Sequence, residues 1–590
     1  MNTLYHPMNY NKSFSGLEVE CLYEDRGWGE NASQKEGWSH LVAKHKTIEF
    51  ITVYKSHCSE ISLHHILVNL PHLISLRLDF AEIGDNFGRH LSRRPPGGGL
   101  SQLTSLSIEE SDCTDSGLLV VLTSLPCLSH LRLANSKICC PEGRPPCTAT
   151  HNCLNLNTLD LTGSLALTEQ GFWNIIEYIN EDSLITLILS GTSLTDSGLG
   201  QVLTSLPHLS NLRLANSDIQ CPEGPPPSGG MSATLHHHHR LNLLMLDLTE
   251  SVGLTEQGFW NIVEYINVGS LQTLILAGCK QLVLQSPPKF PTLRRLDISR
   301  CRRVTEDSVF AVLNSVDNIA TLNMSGLKHL TFCKLYLLTA RLDCLQELNI
   351  SNCENIGEMA FVYLLNHCGS HSPLKKLDMS YIDLCLSAVG ELTSTLRLEE
   401  LRMAGCTQIT ASRFATFINK IGESLEFLDA SGLDLLMTDR IKVNQLPNLK
   451  ALELIRFDRF HELGMINLVN RVGASLLKLN ISYVSVSPAS VSVLEKASLQ
   501  LLSELNISNC SLDEPTLLCL LDKTSNLQHL ILSTVEAHRR HQVKSAQQTI
   551  AGYIQHRTLR QLKFERCGRV SIKDGRIEAS FAVCQYFEFY

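Results

Sequence analysis

The residues best suited to chemistry lie in one short stretch, CCPEGRPPCTATHNC. It gathers Cys139, Cys140, Cys147, His151 and Cys153. Thiolates and imidazoles are the usual ligands of a tetrahedral zinc. A structural zinc site usually draws on close ligand pairs such as C-x-x-C, and none occurs here. A second stretch, Cys221 to Arg240, opens with the same CPEG. It keeps only Cys221 of the thiols and offers His236 to His239 instead. Ligands so readily exchanged between two copies argue for loops, as does the density of Pro and Gly. Arg93 to Leu100, RRPPGGGL, is a third such loop. We therefore expect no metal and no cofactor.

A denser cationic group is formed by Arg294, Arg295, Arg300, Arg302 and Arg303. Guanidinium forks suit carboxylates and phosphates, so Arg295, Arg300, Arg302 and Arg303 are candidates to bind an acidic peptide or a phosphate. Asp297 or Glu306 could instead pair with them. No nucleophile elbow, zincin helix, Walker loop or dinucleotide fingerprint is present. We expect no catalytic residues and no enzyme activity.

Composition narrows the remaining classes. Fifty basic residues face 59 acidic ones, a net charge of −9. This disfavours nucleic acid and anionic membranes, which need clustered positive charge. No apolar run is long enough to span a bilayer. The first residues, MNTLYHPMNYNKSF, do not read as a secretory signal. The 21 cysteines are spread along the chain and read as reduced thiols, which suits the cytoplasm or nucleus. The sequons at Asn349 and Asn480 fall inside a repeated strand pattern, where a glycan has no room.

That pattern positions everything else. LxxLxL begins at Leu73, Leu103, Leu128 and Leu156 and continues to Leu559, for 19 starts. A weaker start at Ile48 precedes them. The mean interval is 27 residues. Each unit alternates apolar and polar residues, as a half-buried strand does, and then turns helix-like. In Thr114 to Leu125, Thr114 can cap a helix that Asp115 favours electrostatically. Leu118, Val121, Leu122 and Leu125 then recur at helical spacing. A strand and a helix of this size cannot bury themselves alone, so neighbours must stack.

The units resemble leucine-rich repeats. Several carry Cys three residues after the last strand apolar residue: Cys279, Cys301, Cys353, Cys406, Cys510 and Cys567. In LRRLDISRCRRVTEDSV and LEELRMAGCTQIT they are similar to the cysteine-containing repeats of F-box/leucine-rich-repeat proteins. LPHLSNLRLANSDI is also similar to the repeats of Zyg-eleven-type cullin substrate receptors. Ser136, Thr192, Leu327 and Val484 stand at the equivalent position elsewhere. A small, weakly hydrogen-bonding residue suits a buried turn there. The resemblance implies an α/β solenoid, a horseshoe with a parallel sheet on its concave face and helices on its convex face. The expected division is an N-terminal cap over 1–46, a solenoid of 19–20 repeats over 47–570, and a C-terminal cap over 571–590.

Two segments are nearly identical: Leu167 to Ile176, LTEQGFWNII, and Leu254 to Val263, LTEQGFWNIV. Flanking pieces recur 81 residues apart, three mean periods. A three-repeat block was therefore duplicated. Phe172, Ile175, Ile176 and Ile179 form the apolar stripe of a helix, with Trp173 at its edge. An exposed Trp173 and Trp260 would be a partner anchor, and a buried pair would be scaffold.

What remains is surface. On adjacent strands the outward positions line up Tyr381, Arg402, Asp429, Glu453, Arg456 and Tyr483. Aromatic residues and Arg are common interface anchors, so these six are the candidate partner-binding residues. The expected function is a non-catalytic protein-binding scaffold. By resemblance it would be a substrate-recognition subunit of a cullin-RING ubiquitin ligase. The alternative is an inhibitor or sensor resembling ribonuclease inhibitor, with a concave face matched to a basic partner.

Overall fold

Each of the 19 LxxLxL starts is followed two residues later by a strand, from Ser75–Ile83 after Leu73 to Gln561–Glu565 after Leu559. The weaker start at Ile48 leads into Phe50–Cys58. The computed structural model describes residues 48–84, 102–138, 153–219, 240–331, 342–433, 443–455 and 462–533, with short breaks within them. It also describes the strands Gly16–Glu20, Gln561–Glu565, Val570–Lys573, Arg576–Ala579 and Gln585–Glu588. The three Pro- and Gly-rich insertions, with nearly all their Cys and His candidates, lie outside the described residues.

The chain forms two compact units. The first is Met1–Leu284 with Pro288–Arg303, and the second is Gln285–Pro287 with Val304–Tyr590. Each is an α/β stack of the expected kind, with parallel strands on one side and helices between them. In the first unit Leu246 pairs with Leu274, and Leu274 with Leu296. In the second, Leu377, Leu401, Leu428 and Leu452 align in consecutive pairs. A one-residue slip would turn every Leu outward, so the apolar pattern itself sets the register. The strand Gly16–Glu20 pairs in parallel with Phe50–Cys58. It extends the sheet inside a segment expected to lack the repeat. At the other end Gln585–Glu588 lies antiparallel on Gln561–Glu565. No described helix is long and apolar enough to cross a membrane.

The core follows from the three apolar positions of each strand. Leu374, Leu377 and Met379 are all within 2% of full burial. Burying each such side chain contributes about 1.5–3 kcal/mol. Helices are capped as the sequence suggests. The Thr114 hydroxyl accepts the Gly117 amide at 3.2 Å, and Thr168, Thr195 and Thr255 do the same for Gly171, Gly198 and Gly258. Glycine stands at Gly117 because a β-carbon there would meet the Ile83 carbonyl oxygen. Among the described residues two repeats depart from the expectation of an α-helix in every unit: the one after Leu374 has only the 3-10 helix Ser387–Glu391, and the one after Leu271 has none. The interval from Leu271 to Leu293 is only 22 residues and contains Pro287, Pro288 and Pro291. No helix forms there, and buried Leu282, Leu284 and Phe290 fill the space.

The turn leaving each strand repeats most faithfully. Two residues past the last apolar strand position the backbone enters the left-handed region. Asn135, Gly163, Gly191 and Asn216 do so in the first unit, and Gly326, Asn352, Gly405 and Gly432 in the second. This geometry aims the amide at the next rung. Gly163 donates to the Ser190 carbonyl at 2.7 Å, Asn352 to Ser380 at 2.8 Å and Gly405 to Ser431 at 2.7 Å. Asn and Gly reach this conformation most cheaply.

A second tie runs between helices. The Glu358 carboxylate, in the first turn of Glu358–His371, accepts amides from Cys385, Ser387 and Ala388 and the Cys385 thiol at 2.7 Å. The Ser387 hydroxyl also donates to it. Burial works against its charge, but the bonds from Cys385 and Ser387 win and lower its pKa to about 2.

Two outcomes follow. Gly405 has φ +67°, and a β-carbon there would press on the Tyr381 ring. Gly432 has φ +62° but would meet only backbone of Gly405 at 3.6 Å. Each substitution to Ala should cost about 1–2 kcal/mol from φ alone. G405A should cost more than G432A in urea unfolding, and equal costs would show that Tyr381 does not rest on Gly405. Glu358 has a folded pKa below its ordinary 4.5. Its contribution is full above pH 4.5 and fades as pH falls toward 2. The urea midpoint of E358Q should therefore fall less steeply than wild type between pH 5 and pH 3, within about one unit of the ordinary carboxyl pKa. Parallel curves would refute the tie.

Candidate functional site

Many outward strand positions are occupied by residues that hold the turn. Asp160, Asp247, Asp297, Asn349, Asp378, Asp429, Asn480 and Asn506 each accept, through Oδ1, the amide of the residue two further on. The distances are 2.9–3.1 Å. Asn349 and Asn480 are the sequon residues, and this engagement uses their side chains. Asp429 is 8% exposed and belongs to this set. Its placement is structural first, and its charge remains.

Two rungs of the second unit are built differently. At Arg402 the equivalent amide, Ala404, donates instead to the Ser380 hydroxyl of the preceding rung at 3.2 Å. At Glu453 the Ile455 amide donates to the Ser431 hydroxyl at 2.9 Å. The serines take over the capping, which releases Arg402 and Glu453 from it. Arg402 Nε donates to Glu400 Oε1 at 2.8 Å, and its guanidinium stacks 4.6 Å from the Phe427 ring centre. Partial burial opposes its charge, yet Glu400, Glu453 and Asp429 leave its pKa above the ordinary value. Burial, and then the Asp429 carboxylate, push the Glu453 carboxyl up, with Arg402 opposing.

Tyr381 and Tyr483 occupy the left-handed turn position, at φ 57° and 61°. A bulky residue there costs about 1–2 kcal/mol relative to glycine. Both side chains are nevertheless exposed, at 59% and 42%. The Tyr381 ring leans over Gly405 of the next rung, where the absent side chain leaves it room. In-register pairing brings Arg402, Asp429 and Glu453 onto neighbouring rungs. Five of the six candidates thus share one face of the second unit, while Arg456 lies outside the described residues. Glu400, Phe427 and Asp378 belong to the same face and were not among the sequence candidates. A regular Asn/Gly column at a fixed offset was the legible signal, because among the described residues Tyr381 and Tyr483 break it in the second unit, as Glu110, Glu250 and Arg300 do in the first.

The arginine group in the first unit is already partly engaged. Arg300, another residue with positive φ, bonds Glu250 at 3.0 Å. Gly278 stands at the intervening turn position. Arg303 donates to Gln281 at 3.1 Å. Arg295 is exposed on its strand and Arg302 is exposed just past the turn. Two of the four anion candidates therefore have protein partners.

The cysteine column is structural. Cys279, Cys301, Cys353 and Cys406 are fully buried, and each thiol donates to a carbonyl of the preceding rung at 3.0–3.2 Å. Thr192 and Ser217 at the same position bond a carbonyl of their own rung. Burial raises the thiol pKa of Cys301 to about 12 and of Cys406 to about 11, so both stay protonated at neutral pH. Cys567 lies outside the described residues. Among the described residues no group of three His, Cys, Asp or Glu could hold a metal. The twin tryptophans are half-buried. Trp173 meets Phe172 edge-on at 5.1 Å, and Trp260 meets Phe259 at 4.7 Å. The stripe of Phe172, Ile175, Ile176 and Ile179 is buried, so these helices serve mainly as scaffold.

In comparisons with known proteins, the sequence matches no family profile and no curated protein.

Native-state maleimide labelling followed by peptide mapping tests the column. Cys127 and Cys153 are exposed and should label first. Cys279, Cys301, Cys353 and Cys406 should label about a hundredfold more slowly, through local opening. Labelling of Cys406 at the rate of Cys127 would contradict its buried donor role.

Proposed function

We propose that this chain is a non-catalytic protein-binding scaffold that engages its partner through the strand face of the second unit. The observation that carries this reading is the pair Tyr381 and Tyr483, held exposed in a left-handed conformation that tyrosine disfavours. Strain kept at solvent-facing positions is common where a side chain must be presented. Arg402 and Glu453, relieved of turn capping, lie on the rungs between them. Flat faces with aromatic and Arg anchors suit protein partners better than small molecules, which need enclosed pockets.

The more specific reading is a substrate-recognition subunit of a cullin-RING ubiquitin ligase. It rests on the resemblance of the repeats to F-box/leucine-rich-repeat and Zyg-eleven-type receptors. The excess of carboxylates on the same face favours a second reading, an inhibitor or sensor for a basic partner.

Affinity purification from cells with mass spectrometry tests these readings, using wild type and the Y381N/Y483N double variant. Asn suits the left-handed region, so the variant should be at least as stable as wild type in thermal unfolding. It should lose most of the partner signal. Recovery of a cullin or its adaptor with wild type supports the ligase reading. A single stoichiometric partner without a cullin leaves the scaffold and removes the ligase. Full retention by the variant would overturn the assignment of this face.

A further inference from the structure

Among the described residues, charge on the strand face of the second unit is unbalanced. Between Glu347–Asn349 and Glu504–Asn506 the outward strand positions carry six carboxylates, Glu347, Asp378, Glu400, Asp429, Glu453 and Glu504. Three cations face them, and each is already bonded within this face. Lys376 bonds Glu347 at 2.7 Å, Arg402 bonds Glu400 at 2.8 Å and Lys478 bonds Glu504 at 2.7 Å. Asp378, Asp429 and Glu453 are left without a cation within ion-pair distance among the described residues. Asp378 and Asp429 each use one carboxylate oxygen for a turn amide. The Glu453 carboxylate has no hydrogen bond or ion pair among the described residues, and Arg402 acts on it only through its field.

The surroundings of these carboxylates suit a cation with an apolar stem. Tyr381 and Tyr483 stand exposed at either end, and Phe427 lies between. Phe427 already carries a guanidinium over its ring, so this face binds one cation through an aromatic ring internally. Lys and Arg can lay their methylene stems on such surfaces while the charged head meets a carboxylate.

We propose that this face docks an extended basic segment of a partner protein, with Lys or Arg side chains reaching Glu453 and Asp378 between Tyr381 and Tyr483. The proposal rests on the scaffold reading above and specifies the kind of partner. Successive rungs are separated by about 4.8 Å, so the path from Asp378 to Asn480 is about 19 Å, or about six extended residues. Asp378 and Glu453 are half-buried and make the contacts. Asp429 is nearly closed off and supplies field. Burial and then Asp429 raise the Glu453 carboxyl, and an incoming cation would relieve the repulsion from Asp429. Arg402 is bonded to Glu400 and stacked on Phe427, and its field offsets Glu453 and Asp429 only in part.

The test uses the full chain and two fluorescein-labelled hexapeptides, one with three lysines and one with three glutamates at the same positions. Fluorescence anisotropy should show binding of the lysine peptide only, weakening as salt rises. The D378N/E453Q double variant should lose about tenfold in affinity, with an unchanged thermal midpoint. Glu177 is exposed at the C-terminal cap of the helix Glu169–Ile176 in the first unit, so E177Q serves as the control. It should change nothing, whereas an effect equal to that of the double variant would reduce the binding to net charge and overturn the site. Equal binding of both peptides, or an affinity untouched by D378N/E453Q, would also overturn it. The basic-segment proposal can fail while the scaffold reading stands. If a cellular partner is lost with Y381N/Y483N but retained by D378N/E453Q, the face binds a protein and the basic segment is wrong.

Discussion

One turn governs this molecule. After each strand the chain must reverse toward its helix, and the next rung must stack directly on it. A residue in the left-handed region does both, because it aims its amide at a carbonyl of the following rung, 2.6 Å away at Asn135 and 2.7 Å at Tyr381. Only a few residue types adopt that conformation cheaply. The column of Asn and Gly is the result, and neighbouring columns adapt to it. The following residue is enclosed and is often Cys, Ser or Thr, able to donate a hydrogen bond, or else aliphatic, as Leu327 and Val484 are. The residue three before the left-handed one is commonly Asp or Asn and caps the turn from the strand.

The candidate site arises where this system is relaxed. A hydroxyl from the preceding rung can replace the Asp or Asn cap, as Ser380 and Ser431 do. The strand position is then open to another residue, and Arg402 and Glu453 occupy it. The left-handed position itself can take a bulky residue if the next rung is small, as Gly405 is beneath Tyr381. Glu250 and Arg300 use the same freedom differently, joining across the turn level of Gly278. One device thus presents an aromatic surface in the second unit and closes an ion pair in the first.

These relations decide among effects that look alike in a list of residues. Asp429 and Glu453 are both carboxylates on adjacent rungs, yet one is consumed by a turn amide and the other is not. Cys406 and Cys127 are both free thiols, yet burial keeps the first protonated and bonded while the second is exposed. Arg300 and Arg302 are neighbours in sequence, yet only Arg300 reaches Glu250. Residue type supplies the chemistry, and the rung supplies its availability.

The strands and their register were legible because burial of one face imposes a strict alternation that composition cannot hide. Every LxxLxL start became a strand, and Thr114 became a helix cap, since both depend on interactions within a few residues. The helix missing from the repeat after Leu271 was also legible in principle, from its short interval and its prolines. The function of the outward positions was not. Whether a carboxylate caps a turn, pairs with a cation or faces solvent depends on residues some 25 positions away, brought one rung apart by stacking. Sequence alone therefore determined the repeat, its strand register and its buried columns. Only the tertiary structure decided that Arg402 and Glu453 are released, that Arg300 is engaged and that the two tyrosines are presented, because those outcomes are set by contacts between rungs.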